Sequence, residues 1–79
     1  MFNKNIFSAR ILALRKSKNM SQLELAALLG VTRTQISDIE NGKTTTSLER
    51  ICILADFFNV SIDYLVGRTD ITNSTNPSN

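Results

Sequence analysis

The sequence predicts an all-α fold built from five short helices. Apolar residues recur at helical intervals in successive segments, and a residue type that caps helices stands before each of these segments. No stretch alternates polar and apolar residues as a strand does, and no segment repeats. Because the chain has 79 residues, it is predicted to form one domain with a small core that buries only about 60% of the unfolded surface.

The first helix is predicted to start after a cap at Asn5 and to run to about Lys18. Ile11 and Leu14 lie three residues apart and are expected to face the core. The basic residues of this segment lie on its other faces, and those near its end suit the negative end of the helix dipole. They are Arg10, Arg15, Lys16 and Lys18.

The second helix is predicted to begin at Ser21, because Ser21 and Glu24 form an S-x-x-E capping box that stabilises a helix start by about 1 kcal/mol. Gly30 is expected to end the helix in the left-handed conformation, which costs other residues about 1 kcal/mol or more. Ala26 has only a methyl group, so a neighbouring helix can approach closely there. The apolar residues on the inward side are Leu25, Ala26, Leu28 and Leu29.

The third helix is predicted to start at Thr32, which forms a second capping box with Gln35, and to close at Asn41-Gly42. The residues that turn inward at helical spacing are Ile36 and Ile39. The side chains on the free face are of types that hydrogen-bond or contact base edges in the major groove of DNA, and they are Arg33, Thr34, Ser37 and Asp38.

Ser47 is predicted to cap a fourth helix, and Ser61 a short fifth helix that stops at Gly67. The inward residues of these two helices are expected to be Leu48, Ile51, Ala55, Phe58 and Leu65. We therefore place the domain at residues 6–67. Residues 68–79 are almost wholly polar and lack periodicity, so they are predicted to form a disordered tail.

Composition excludes several classes of protein. The sequence has no histidine and a single cysteine, Cys52, which we expect to be a small core residue. Neither an internal disulfide nor a zinc site can be built, and no nucleophile, base and orienting group can be assembled for catalysis. The N-terminus lacks the apolar stretch of a signal peptide, and the longest apolar runs, such as 51–55, are too short to span a bilayer. We expect a cytoplasmic protein that is not an enzyme and that uses no cofactor, metal or membrane.

Charge is distributed unevenly along the chain. Residues 1–43 contain seven Lys or Arg against three acidic residues, whereas residues 44–79 contain two against four. The basic half would steer the first three helices toward a phosphate backbone and leave the other end for protein contacts. An ordinary set of solvated surface charges can produce a similar asymmetry.

Residues 21–42, SQLELAALLGVTRTQISDIENG, resemble the helix-turn-helix of the phage repressor and Cro class and of the Xre-like bacterial regulators. The matching positions of the motif, which spans 22–41, are Gln22, Ala26, Gly30, Ile36 and Ile39. Similarity extends over about residues 7–67 through the phrases LRKSKNMSQ, ISDIENGK and LADFFNVSIDYLVG. Thr46 stands where many relatives carry a proline, which leaves the loop before the fourth helix less rigid. The resemblance implies a compact five-helix fold like that of the lambda repressor domain.

The resemblance also implies DNA contacts by position. The residues that would read bases are Arg33, Thr34, Ser37 and Asp38. The residues that would contact phosphates are Gln22, Gln35, Asn41, Lys43, Arg10 and Arg15.

Several of these residues also have a simpler interpretation. Gln35 either points toward phosphate or only completes the cap of its helix. Asp38 either accepts a hydrogen bond from cytosine or is a solvated acid that repels phosphate. Arg15 either pairs with Glu40 in an orientation suited to phosphate or forms an ordinary surface ion pair, and Arg10 is either a phosphate ligand or a surface charge.

Together these observations predict a sequence-specific regulator that reads the major groove of double-stranded DNA. Because one such module buries too little surface to find a single genomic site, we expect a homodimer that acts as a repressor on a palindromic operator, with half-sites about 34 to 36 Å apart. Its interface would lie on the fourth and fifth helices and involve Phe57, Tyr64 and Val66, although Tyr64 fits equally well at the edge of the core. No small-molecule ligand is evident, and the protein would associate with the nucleoid when bound to DNA.

Two other functions remain open. An antitoxin would use the same helix-turn-helix on its own operator while the tail or the distal helices hold a toxin, and a neighbouring toxin gene would identify it. A protein-binding adaptor that has lost DNA binding would bind no duplex even at low salt.

Overall fold

A computed structural model describes residues 2–72 of the chain and contains five α-helices. They are α1 Lys4–Ser17, α2 Gln22–Leu29, α3 Arg33–Glu40, α4 Leu48–Phe58 and α5 Ile62–Leu65. The described part of the chain contains no β-strand, so the prediction of an all-α fold is confirmed. The helices enclose one core, in which α2 packs against α3 while α1 contacts both α3 and α5. None of the helices in residues 2–72 has the length and apolar character needed to cross a bilayer.

Four of the five predicted helix caps are confirmed, because each cap residue has extended backbone and its side-chain oxygen accepts from the N–H three residues on. They are Ser21, Thr32, Ser47 and Ser61. The prediction for α1 is wrong, since this helix is capped by Asn3 and not by Asn5. Asn3 Oδ1 accepts from the backbone N–H groups of Asn5 and Ile6, both at 3.0 Å. Both asparagines suit a cap, and the extended backbone at Asn3 decides between them.

The core is small and receives residues from all five helices. Its buried apolar residues are Phe7, Ile11, Leu25, Ala26, Leu29, Ile36, Ile39, Ile51, Leu54, Ala55, Phe58 and Leu65. Phe7 and Leu54 were not predicted, because the faces that α1 and α4 bury are wider than the apolar stripes read from helical spacing. Leu14 and Leu28 are only partly buried and pack against this core.

Two residues of α4 lie nearer to the surface than the sequence predicted. Leu48 is 69% exposed, because it is the first residue of α4 and precedes the residues that reach the core. Cys52 is half-buried, so it lies at the edge of the buried face and not within the core.

The turn between α2 and α3 determines how these two helices meet. Gly30 ends α2 in the left-handed region at φ +70° and ψ +35°, as predicted. The N–H of Val31 donates to the carbonyl of Ala26 at 3.0 Å, which satisfies the end of α2. Because Ala26 is buried and carries only a methyl group, α3 can pack close to α2.

The chain after α5, which was predicted to form a disordered tail, contacts the domain. The N–H of Arg68 donates to Asp63 O at 2.8 Å, and the N–H of Ser61 donates to Thr72 O at 2.6 Å. In the structure these polar contacts hold residues 68–72 against the domain, and disorder of the tail in solution stays a prediction. The rest of the predicted tail, residues 73–79, lies outside the described residues.

Candidate nucleic-acid interface

α3 has a buried side and a polar side. Ile36 and Ile39 are buried and anchor the helix on the core. The opposite side keeps solvent access at the four predicted base-reading positions, Arg33, Thr34, Ser37 and Asp38. α3 therefore presents a row of hydrogen-bonding groups outward, as insertion into the major groove requires.

An ion pair between α1 and α3 fixes the end of α3. Arg15 Nε donates to Glu40 Oε2 at 2.6 Å, and Arg15 Nη2 donates to Glu40 Oε1 at 3.1 Å. The side chains are only 12% and 4% exposed, so this is not an ordinary surface pair. The pairing predicted from the sequence is thus confirmed.

Arg15 itself has no nitrogen left without a partner in the chain, since its Nη1 donates to Met20 O at 2.7 Å. The hydrogen bonds to Glu40 raise the pKa of Arg15 above its ordinary value, partial burial opposes this shift, and attraction to the Glu40 carboxylate adds to it. The guanidinium holds α3 inside the domain with three of its five N–H donors, and a phosphate contact of Arg15 stays a prediction.

Gln22 extends this cluster to the start of α3. Its Nε2 donates to Glu40 Oε1 at 3.0 Å, and its Oε1 accepts from Arg33 Nη1 at 3.2 Å. The first residue of α2 thus bridges the last and the first residues of α3. Only a phosphate contact was predicted for Gln22, and this bridge was not, because residue spacing gives no signal for it.

Gln35 completes the capping box of α3. Its Oε1 accepts from the backbone N–H of Thr32 at 2.9 Å, and its own backbone N–H donates to Thr32 Oγ1 at 3.1 Å. The capping interpretation is therefore confirmed. Capping uses the amide oxygen and leaves Nε2 of this exposed side chain for another partner.

Asn41 and Lys43 lie just beyond α3, and both are exposed. The backbone N–H of Lys43 donates to Asp38 O at 2.9 Å, which continues the chain tightly from the end of α3. Gly42 between them has φ +75°, and a Cβ there would come within 3.2 Å of Asn5 Oδ1. The exposed side chain of Lys43 therefore extends from a turn whose backbone is held in place.

An open groove of about 510 Å³ lies between α3 and the loop to α4. Besides polar residues of the loop, Arg50 lines it, and Arg50 Nε donates to Leu29 O at 3.1 Å. Hydroxyl and guanidinium donors can bind phosphate oxygens, so this groove extends the polar surface beside α3. The sequence analysis did not single out Arg50. Across residues 2–72, no three Cys, Asp or Glu side chains come together as metal ligands do.

Arg10 does not join the other predicted phosphate ligands. Its Nη2 donates to Asp70 Oδ1 at 2.7 Å, and its Nη1 donates to the carbonyls of Tyr64 and Thr69. The guanidinium is bound to α5 and to the segment after it, and a phosphate contact of Arg10 stays a prediction. The alternative of a plain surface charge does not describe Arg10, since its side chain is only 17% exposed.

The three residues predicted for a dimer interface differ in exposure. Phe57 is 41% exposed, with its ring packed edge-on against Phe58. Tyr64 and Val66 are half-buried and pack against the core, and their part in a dimer interface stays a prediction.

The buried contact of α2 with α3, the tight turn at Gly30 and the exposed polar side of α3 define a DNA-binding domain of the helix-turn-helix class. The family model described as Helix-turn-helix, HTH_3, matches residues 11–65. The chain belongs to this family, and the predicted resemblance to phage repressors and Xre-type regulators is confirmed.

The relatives of this chain include an antitoxin, a control protein and a phage repressor. Antitoxin PezA of Streptococcus pneumoniae is 40% identical over 73 residues, which cover 92% of this chain and 43% of PezA. Control protein C.SmaI of Serratia marcescens is 31% identical over 70 residues, which cover 89% of this chain and 83% of that protein. The P22 c2 repressor in complex with a synthetic operator is similar with a TM-score of 0.72 and 31% identity, covering 77% of this chain and 92% of the repressor chain. This chain spans about half the length of several curated relatives, PezA among them.

Proposed function

We propose that this chain is a sequence-specific regulator that places α3 in the major groove of a double-stranded operator. The observation that carries this proposal is the polar face of α3. Arg15 and Gln22 hold the end of α3 through Glu40, and Gln22 also binds Arg33 at its start. The likeness to a repressor in complex with an operator supports the same docking. We further propose that the protein is a repressor that acts in the cytoplasm and associates with the nucleoid when bound.

Arg33 is the principal base-reading residue in this proposal. It is the first residue of α3, and its hydrogen bond to Gln22 holds one edge of the guanidinium. A guanidinium held in this way can donate two hydrogen bonds to guanine O6 and N7, which discriminates by about 1–3 kcal/mol. The remaining base-reading residues would be Thr34, Ser37 and Asp38, of which Asp38 can accept from cytosine N4.

Phosphate contacts are proposed on both sides of the groove. Gln22 stands at the start of α2, where the helix dipole and the free backbone N–H groups favour an anion. Asn41 and Lys43 follow α3, and Gln35 can donate from its amide nitrogen. These contacts position the domain on any duplex and do not select its sequence.

We also propose that two copies bind a palindromic operator as a homodimer. The interface would lie on α4 and α5, and the exposed ring of Phe57 supports this location. A two-fold pair would place the two α3 helices in half-sites about 34 to 36 Å apart. Pairing would double the number of bases read and thereby supply the selectivity that a single small domain lacks.

Selection of bound duplexes from a random pool, at a recorded salt concentration, tests the proposal. The wild-type chain should enrich an inverted repeat. Arg33→Ala should lose enrichment at one position of each half-site, whereas Lys4→Ala, which removes an exposed positive charge at the start of α1, should enrich the wild-type sequence. Absence of any enriched sequence at low salt would contradict DNA reading and favour the adaptor interpretation.

An antitoxin role is the second candidate, and the identity with antitoxin PezA supports it. In that case the chain would use α3 on its own operator and would also hold a toxin protein. Expression of the neighbouring gene alone should then arrest growth, and coexpression of this chain should restore it. A neighbouring product that neither arrests growth nor copurifies with the chain would contradict this role.

A further inference from the structure

Arg10 is the centre of a cluster that the proposed DNA contacts do not use. Its Nη1 donates to the carbonyl of Tyr64 in α5 and, at 2.6 Å, to the carbonyl of Thr69. Its Nη2 donates to Asp70 Oδ1 at 2.7 Å. The same guanidinium lies over the ring of Tyr64, with Cζ 4.0 Å from the ring centroid. One side chain of α1 therefore binds α5 and the segment that follows it.

Residues 68–72 are attached to α5 by their backbone as well. Thr72 O accepts from the N–H of Ser61 at 2.6 Å, and the N–H of Arg68 donates to Asp63 O at 2.8 Å. No side chain of 68–72 is fully buried, and the only large apolar one, Ile71, is exposed. The segment is thus held by a few polar contacts and not by the core.

This attachment is asymmetric, because the side chain of Arg10 is 17% exposed whereas that of Asp70 is 99% exposed. The side chain of Arg10 is largely buried, and Asp70 reaches it from the solvent side. An ion pair with one fully solvated partner is weak, so the segment can detach while the core stays folded. Gly67, at φ +85°, directly precedes the segment and can serve as its hinge.

We propose that residues 68–72 form a strap that Arg10 clamps onto α5, and that the closed strap withholds Tyr64 from contact with a second copy of the chain. While the strap is closed, Thr69 and Asp70 keep the guanidinium over one face of the Tyr64 ring. Once the strap opens, the guanidinium loses these two partners and can leave the ring. The uncovered ring then adds to the exposed apolar surface of α5, to which Ile62 contributes.

The strap therefore favours the monomer, and its opening favours the homodimer. In this respect the inference rests on the homodimer in the proposed function. It also concerns the free protein, so it can be tested without DNA, and a failure of operator selection would not be mistaken for a failure of the strap.

Asp70→Lys tests the strap by placing a positive charge beside Arg10. Thr45→Lys is the control, because Thr45 is exposed, lies in the loop between α3 and α4, and belongs neither to the proposed interface nor to the strap. Three quantities are measured for each chain: amide exchange at Ser61, emission of Tyr64, and the dimer dissociation constant by sedimentation. The tyrosine emission comes from Tyr64 alone, since the chain has one tyrosine and no tryptophan.

Asp70→Lys should accelerate exchange at Ser61 by about tenfold, change the Tyr64 emission, and lower the dimer dissociation constant by about threefold or more. Thr45→Lys should match the wild type in all three. Equal Ser61 exchange in wild type and Asp70→Lys would show that the strap is not closed in solution. A dimer dissociation constant that is unchanged or raised, including the case in which both chains stay monomeric, would overturn the proposed effect on Tyr64.

Discussion

Arg33 and Lys43 carry the same charge but should affect DNA binding differently. Arg33→Ala should relax base preference at one operator position by about 1–3 kcal/mol, because it removes a paired contact to guanine. Lys43→Ala should weaken binding to all sequences alike and lower the salt slope by about one unit, because it removes one phosphate contact. Titration of operator variants over a salt series measures both effects. Equal losses across the operator variants for the two substitutions would contradict this division of roles.

Glu40→Ala should lower the free energy of unfolding by about 3 kcal/mol, because it leaves the largely buried Arg15 guanidinium without its carboxylate. Because an arginine guanidinium stays protonated at any ordinary pH, deprotonation cannot relieve the buried charge that Glu40→Ala leaves behind. Denaturant unfolding measures the loss. The double variant Arg15→Met, Glu40→Leu is the control and should recover part of the stability, because no buried charge remains. A double variant no more stable than Glu40→Ala would contradict this account.

The contacts of single side chains were the least predictable part of this protein. Pairing of Arg15 with Glu40 came from resemblance to a family, since 25 residues separate the two in sequence. The bridge made by Gln22 and the contacts of Arg10 with Asp70, 60 residues away, have no signature in local spacing. A charged residue looks the same in sequence whether it faces solvent or another helix, so only the packed fold distinguishes the two cases.

At the scale of helices, prediction succeeded where the cause is local. The capping boxes of α2 and α3 lie within four consecutive residues, so residue types alone specify them. The start of α1 was misplaced because two asparagines compete for the cap. Leu48 was wrongly predicted to face the core. Helical spacing indicates on which face of a helix a residue lies, but not whether the core extends as far as that end of the helix.

The turn between α2 and α3 gives a prediction at this scale. Gly30→Ala should cost about 1 kcal/mol of unfolding free energy, because a Cβ disfavours the left-handed backbone at φ +70°. Crowding is not the cause, since no atom would lie within 4 Å of that Cβ. Gly30→Asn should cost less, because asparagine tolerates this conformation better. Denaturant unfolding of the three chains checks the order, and equal stabilities would argue against a left-handed Gly30 in solution.

For the whole molecule, the fold class and family could be read from the sequence, but the contacts that residues 68–72 make with the domain could not. Periodicity and motif spacing describe segments that bury apolar residues, and they predicted all five helices. Residues 68–72 bury no apolar side chain, so their polar attachment through Arg10 gave no periodic signal. Because residues 68–79 are almost wholly polar, their composition predicted a disordered tail and gave no sign of these contacts.

The arrangement of two copies on DNA gives the last prediction. The molecule measures 38 × 23 × 21 Å, so two copies set side by side or end to end can span half-sites about 34 to 36 Å apart. Inserting about five base pairs at the operator centre turns one half-site to the opposite side of the duplex, beyond the reach of a two-fold dimer. Affinity should then fall to that of an isolated half-site, as a mobility-shift titration would show. An operator whose affinity is unaffected by the insertion would mean that each copy binds alone, and the homodimer would have to be abandoned while the base contacts of α3 remained.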